Sequence, residues 1–229
     1  MKKQKVLIIG NKEYSNFQFK GTLDNFDVVY RFNLAWPCKN NGAKFGKLAM
    51  CQHVYNTFVA NPVSKERAIE IYKDEYDLEY LSDWYDFFQE NKENFDEIFH
   101  QNEHNWPEWN RMLGEYGSPY RFSKMATTGY SIIFKNLAEG NNEIYVLGFT
   151  SRNNESRESI GDSDGMAAKR DTGSCHSVAD EIKILNWLHN NKKIDASLCM
   201  LDDTEELSIN TNGGDMEPSK FILDLLEKK

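Results

Sequence analysis

The sequence predicts an α/β fold with a mainly parallel sheet, and three observations carry that expectation. Residues 5–10 (KVLIIG) and 143–149 (EIYVLGF) are apolar runs without polar alternation, the pattern of strands covered on both faces. Between and after them lie stretches whose apolar residues recur every three or four positions, so strands alternate with helices. At 229 residues with 40% apolar and 13% aromatic content, the chain is long and apolar enough to bury a core without disulfide or metal staples.

The elements follow in order. After the strand at 5–10, which ends in Gly10-Asn11, residues 26–33 (FDVVYRFN) and 48–56 (LAMCQHVYN) read as two further strands, each ending in Asn. Ser64 opens a helical pattern in which Ile69, Tyr72, Tyr76, Tyr80, Trp84 and Phe87 share a face. A weaker helix is expected over 92–100, and 101–121, with Pro107, Gly114, Gly117 and Pro119, reads as loop. Thr127-Thr128-Gly129 leads into a helix at 130–139, followed by the strand at 143–149. The polar, Gly- and Ser-rich segment 150–175 reads as a mobile loop. Ser177 caps a helix over 178–189, with Asp180 completing a box-like pattern. A last strand at 197–201 and a last helix at 219–226 complete the chain. The pattern describes one Rossmann-like domain over 1–229, with helices on both faces and a helical, acidic, aromatic-rich insert at 61–121.

Charge sharpens the division. The formal net charge is −9, yet residues 61–115 alone hold fifteen acidic and five basic side chains, a balance of −10. Outside that stretch twenty-one acids face twenty-two bases, so the body is near neutral at +1. Without a basic face, nucleic acid is not an expected partner. The run Val6–Gly10 is too short for a signal peptide or membrane span, and the four cysteines show neither zinc spacing nor pairing. A cytoplasmic protein with reduced thiols and no transmembrane segment is the expectation, with peripheral membrane association left open. His100 and His104 have i, i+4 spacing without a third ligand, and Asp202-Asp203 reads as an acidic turn, so no metal site is expected.

Ligands of parallel sheets bind at the carboxyl ends of the strands. Here those ends offer Gly10-Asn11, Asn33, Asn56 and Gly148, a polar, uncharged floor suited to a sugar or nucleotide. Thr128-Gly129 at a helix start offers free N–H groups and a positive dipole end, which suit a carboxylate or phosphate. His176 precedes the Ser177 cap, where the helix dipole favours a neutral ring able to accept a proton.

Gly10-Asn11 followed by Asp27-Val28-Val29-Tyr30-Arg31-Phe32-Asn33 resembles the large motif of sialyltransferases. Thr127-Thr128-Gly129 with Asn142–Phe149 resembles their small motif, and Thr172-Gly173, His176 and Glu181 resemble their very small motif. The segment Cys175–Leu188 is also similar to bacterial lipooligosaccharide sialyltransferases. The resemblance implies a glycosyltransferase that moves sialic acid from CMP-sialic acid to a hydroxyl of an acceptor glycan in polysaccharide or lipooligosaccharide synthesis, inverting and metal-independent, with no cofactor beyond the CMP-sugar donor. Carried onto this chain, it gives the donor phosphate and sugar to Asn11 and Asn33 and the sugar pocket to Asn56. Thr127, Thr128 and Gly129 would hold the donor carboxylate, Gly148 would sit near the nucleoside, and His176 would be the general base.

The family's tyrosines for the leaving phosphate have no counterpart in 150–175, where Arg170 or Lys169 would supply the cationic help. The alternatives are a CMP-Kdo-type transferase or a non-catalytic nucleotide- or sugar-binding module. A dinucleotide oxidoreductase is disfavoured because Gly10 stands alone, without Gly-x-Gly-x-x-Gly.

Overall fold

The computed structural model describes residues 2–10, 23–32, 47–49, 55–73, 82, 85–86, 89–90, 106–149, 176–200 and 219–226. Four strands, β1 (Gln4–Ile9), β2 (Val28–Phe32), β3 (Lys47–Ala49) and β4 (Asn142–Leu147), form one sheet in the order β3-β2-β1-β4. Every pairing is parallel: Val6 lies opposite Val28 on one side and Ile144 on the other, and Tyr30 lies opposite Lys47. The helices are α1 (Lys65–Tyr72), α2 (Trp106–Glu115), α3 (Thr128–Glu139), α4 (Val178–Asn190) and α5 (Lys220–Leu226).

The unbroken apolar run of β1 has a direct cause. Val6 and Ile8 enter one core cluster with Ile144, Val146, Ile133, Phe134 and Leu185, while Leu7 and Ile9 enter a second with Val29, Tyr145, Phe26 and Ile222. Successive side chains point to opposite faces, so a strand covered on both sides has no position for a polar residue. α3 and α4 supply the first cluster and α5 the second, so the described sheet carries helical residues on both faces.

Helix starts follow local chemistry. The Ser64 hydroxyl accepts the Arg67 N–H at 3.2 Å, and the Ser177 hydroxyl accepts the Asp180 N–H at 3.4 Å. α3 begins two residues earlier than the expected 130, and ends at Gly140 in the left-handed region, whose N–H reaches the Leu137 carbonyl. Beyond α1, residues 82, 85, 86, 89 and 90 are also helical, and the Tyr85 hydroxyl donates to the Val63 carbonyl. The expected helix at 92–100 and the segment 150–175 lie outside the described residues.

Three expectations are corrected. Residues 106–115, read as loop, form α2: Pro107 stands in the first turn, where a missing N–H costs nothing, and the break comes only at Gly117, φ +82°. Met112, Leu113 and Phe122 join the main core, and Trp109 stacks on Phe134 at 5.6 Å. The third strand does not run to Asn56. Its described pairing with β2 covers Tyr30, Arg31 and Phe32 opposite Lys47, Leu48 and Ala49, Tyr55 is already helical, and Asn56–Ala60 form a π-helical turn. The expected strand at 197–201 is a 3-10 turn over Ser197–Met200, because the Asp195 carboxylate accepts both the Ser197 N–H and hydroxyl and turns the chain. The sheet-like contact occurs earlier, as a single parallel bridge of Asp195 to Tyr145.

Candidate site at the carboxyl edge of the sheet

β1 is the strand from which the chain departs in one direction to β2 and β3 and beside which it returns as β4. Such a reversal of strand order is where open α/β sheets bind ligands, outside the carboxyl ends. Gly10 and Gly148 occupy those ends, and they meet. The Gly10 N–H donates to the Leu147 carbonyl at 2.6 Å. A Cβ on Gly10 would lie 2.3 Å from the Gly148 carbonyl oxygen, and one on Gly148 would lie 2.8 Å from that of Gly10. Gly148 also has φ +75°, a backbone that side chains disfavour.

α3 and α4 bring their N-termini to the same edge. α3 ends at Glu139, three residues before β4 starts, so its N-terminus lies toward the strands' carboxyl ends. There the Tyr130 ring meets Phe149, next to Gly148, edge to face at 5.6 Å. The turn 123–127 is bound to the start of α4 at three points. Ser123 gives its N–H to Asp180 at 3.0 Å and its hydroxyl to the same oxygen. His176 Nδ1 lies 2.8 Å from the Met125 carbonyl, and the Thr127 N–H donates to the Glu181 carboxylate at 2.8 Å. The Tyr130 hydroxyl closes the set by donating to the Glu181 carbonyl at 2.7 Å.

Two chemical consequences follow. A carbonyl can only accept, so the Met125 contact puts the proton of a neutral His176 on Nδ1 and leaves Nε2 as the basic nitrogen. The Glu181 carboxylate, 6% exposed, lies at the positive end of α3 and takes the Thr127 N–H, in the turn that the resemblance gives to the donor carboxylate. Asp180 is pulled two ways: burial raises its carboxyl, but the Ser123 hydroxyl and N–H, aided by Ser177, hold it below the usual aspartate range.

Of the residues expected at the site, Gly10, Gly148, Thr127, Thr128, Gly129 and His176 fall at this edge. Thr128 and Gly129 are buried, and Thr127 makes no side-chain cap bond. Asn56 is exposed in its π-helical turn and terminates no strand. Asn11, Asn33 and Arg170 lie outside the described residues.

Two further buried polar residues lie near this edge, neither with a role in the expectations above. Arg31 of β2 is 1% exposed and lies opposite Ile9, one residue short of Gly10; an arginine inside an apolar strand was the available signal. Ser131, one turn into α3, has a fully buried hydroxyl with no hydrogen-bond partner among the described residues. No helix among the described residues is long and apolar enough to cross a membrane. No protein-family model matches the chain, and no curated protein matches its sequence.

Proposed function

We propose that this chain is a sialyltransferase-like glycosyltransferase that moves sialic acid, or a related acidic sugar, from a CMP-activated donor to a hydroxyl of an acceptor glycan. The observation that carries the reading is the joining of two separated motifs. His176 and Glu181 bind Met125 and Thr127, 51 and 54 residues away, so the base and the Thr-Thr-Gly turn form one wall at the sheet's carboxyl edge. A doubly wound, Rossmann-like domain over the whole chain accords with the strand order and with the facing glycines.

In this reading His176 Nε2 takes the proton of the acceptor hydroxyl as its oxygen bonds to the anomeric carbon. The bond from that carbon to the CMP phosphate breaks from the opposite side, which inverts the centre. CMP leaves as a phosphate anion, so a strong general acid is less important than the donors around it. Arg31 joins the candidates for that cationic help, beside Arg170.

The test is CMP release from CMP-sialic acid and from CMP-Kdo with a lactose-terminated acceptor. His176→Ala should lower transfer at least about a hundredfold while CMP still binds. Absence of turnover and of CMP binding with both donors would overturn the reading. A non-catalytic CMP-sugar-binding module is favoured by one observation: Glu181 already places a carboxylate where the donor's own would sit. CMP binding without transfer in the unmutated protein would select it.

A further inference from the structure

At the opposite, amino edge of the sheet lies a cavity of about 570 Å³. Its wall includes Lys3 ahead of β1, Asn142 and Glu143 at the start of β4, His189 and Asn190 at the end of α4, and Lys192 in the next turn. That volume falls within the range that encloses small-molecule ligands, about 300–1,000 Å³.

Several of its polar groups are already committed. Asp195 accepts from the Ser197 N–H and hydroxyl with one oxygen and from the Ser219 N–H with the other. Lys193 sits 4.5 Å over the Tyr116 ring. Asn142 gives its amide hydrogens to Asn136 and Glu139, which leaves its Oδ1 as an acceptor. The side chains of Lys3, Lys192 and Asn190, by contrast, make no hydrogen bond or ion pair among the described residues.

His189 adds a buried, neutral ring to the wall. It is 7% exposed, and its Nδ1 accepts the Ala196 N–H at 2.9 Å, so the proton of the neutral ring is on Nε2. Burial holds this imidazole below the usual histidine range, against the nearby Asp195 charge and a backbone hydrogen bond to Ile194, and so keeps the ring neutral.

Lys192 is unusual for another reason. The Lys193 N–H reaches the Leu188 carbonyl and the Lys192 N–H reaches that of His189, which makes a Schellman turn at the end of α4. Lys192 holds its left-handed position, φ +55°, where glycine is the usual residue. A strained backbone that keeps an ammonium on a cavity wall is a pointer to function.

We propose that this cavity is a binding site for a phosphorylated sugar. The ammonium groups of Lys3 and Lys192, with the Asn190 amide, form the donor set for the phosphate. The Asn142 carbonyl oxygen and the Glu143 carboxylate oxygen that does not take the Tyr145 hydroxyl are acceptors for sugar hydroxyls. The turn satisfies the Leu188 and His189 carbonyls, two of the four at the end of α4, and so reduces the repulsion that a bare helix C-terminus would exert on an anion. The site stands apart from the carboxyl-edge wall and does not depend on the transferase reading.

The test is an amide NMR titration of the full chain with inorganic phosphate, glucose 6-phosphate and glucose, at ionic strength matched with chloride. We expect saturable shifts at residues 142–143 and 189–193, with glucose 6-phosphate binding at least about tenfold tighter than glucose. The Lys3→Gln and Lys192→Gln variants, singly and together, should weaken phosphate and glucose 6-phosphate binding at least several-fold while the rest of the spectrum is unchanged. No saturable shift, shifts confined to 127–129, or undiminished binding in the double variant would overturn the assignment.

Discussion

Gly10 and Gly148 stand backbone to backbone at the carboxyl ends of adjacent strands, each occupying the space in which the other's Cβ would lie. The obstructing atoms are main-chain carbonyls, so a rotamer change cannot relieve the clash. Gly10→Ala should therefore lower unfolding stability by about 3 kcal/mol or more. Gly148→Ala should cost a similar amount, with a further ~1–2 kcal/mol from its positive φ. Urea denaturation of each variant checks this. Stability within about 0.5 kcal/mol of the parent would show that the strands can part here without loss.

The bonds that tie 123–127 to α4 should fail in acid. Asp180 has a folded pKa below its ordinary value, so its contribution to stability is complete above about pH 4 and is lost as the pH falls through the lower, folded value. Asp180→Asn should flatten the acid limb of the stability curve, because the neutral amide does not titrate. A curve of stability against pH between neutrality and strong acid, measured for parent and variant, separates the two cases. Superimposable acid limbs would remove Asp180 from the account.

At Lys192 the backbone is the strained partner. Lys192→Gly should raise stability by about 0.5–1 kcal/mol, because relief of the left-handed conformation exceeds the lost attraction of a cation for the helix end. Thermal unfolding reads the sign directly. A fall in Tm would mean that the lysine's electrostatic contribution outweighs its strain.

Ser131 carries a buried hydroxyl without a partner among the described residues. Removing an unsatisfied group removes its desolvation cost, so Ser131→Ala should leave stability unchanged or raise it by up to about 1 kcal/mol. A loss of more than about 1 kcal/mol would show that the hydroxyl has a partner when folded. Paired denaturation curves with and without CMP also show whether the hydroxyl serves ligand: if so, the variant loses part of the stabilisation that CMP confers.

Much of the frame was legible locally. The runs around Val6–Ile9 and Ile144–Leu147 specify strands covered on two faces because no position is polar. Ser64, Ser177 and Gly140 mark helix ends through bonds to residues three or four positions away. α2 reads as loop because Pro107, Gly114, Gly117 and Pro119 all look like breakers, although a first-turn proline breaks nothing and the last two lie beyond the helix end at Glu115. The strand expected to run to Asn56, where the chain is already helical at Tyr55, shows a different limit. Pairing with a neighbouring strand decides how far a strand runs, and no pattern within 48–56 records that neighbour.

The sequence by itself determined that this is an α/β chain with a parallel sheet, where its central strand and its two best-capped helices lie, and that glycine follows both β1 and β4. Only the tertiary structure decided that those glycines touch, that Glu181 occupies the Thr127 N–H, and that Met125 sets the tautomer of His176. The reason is range. Caps and periodicities act over one helical turn or one pleat, and each residue's neighbours along the chain encode them. The contacts that build the wall join residues more than fifty positions apart, and they exist only after both faces of β1 have been covered.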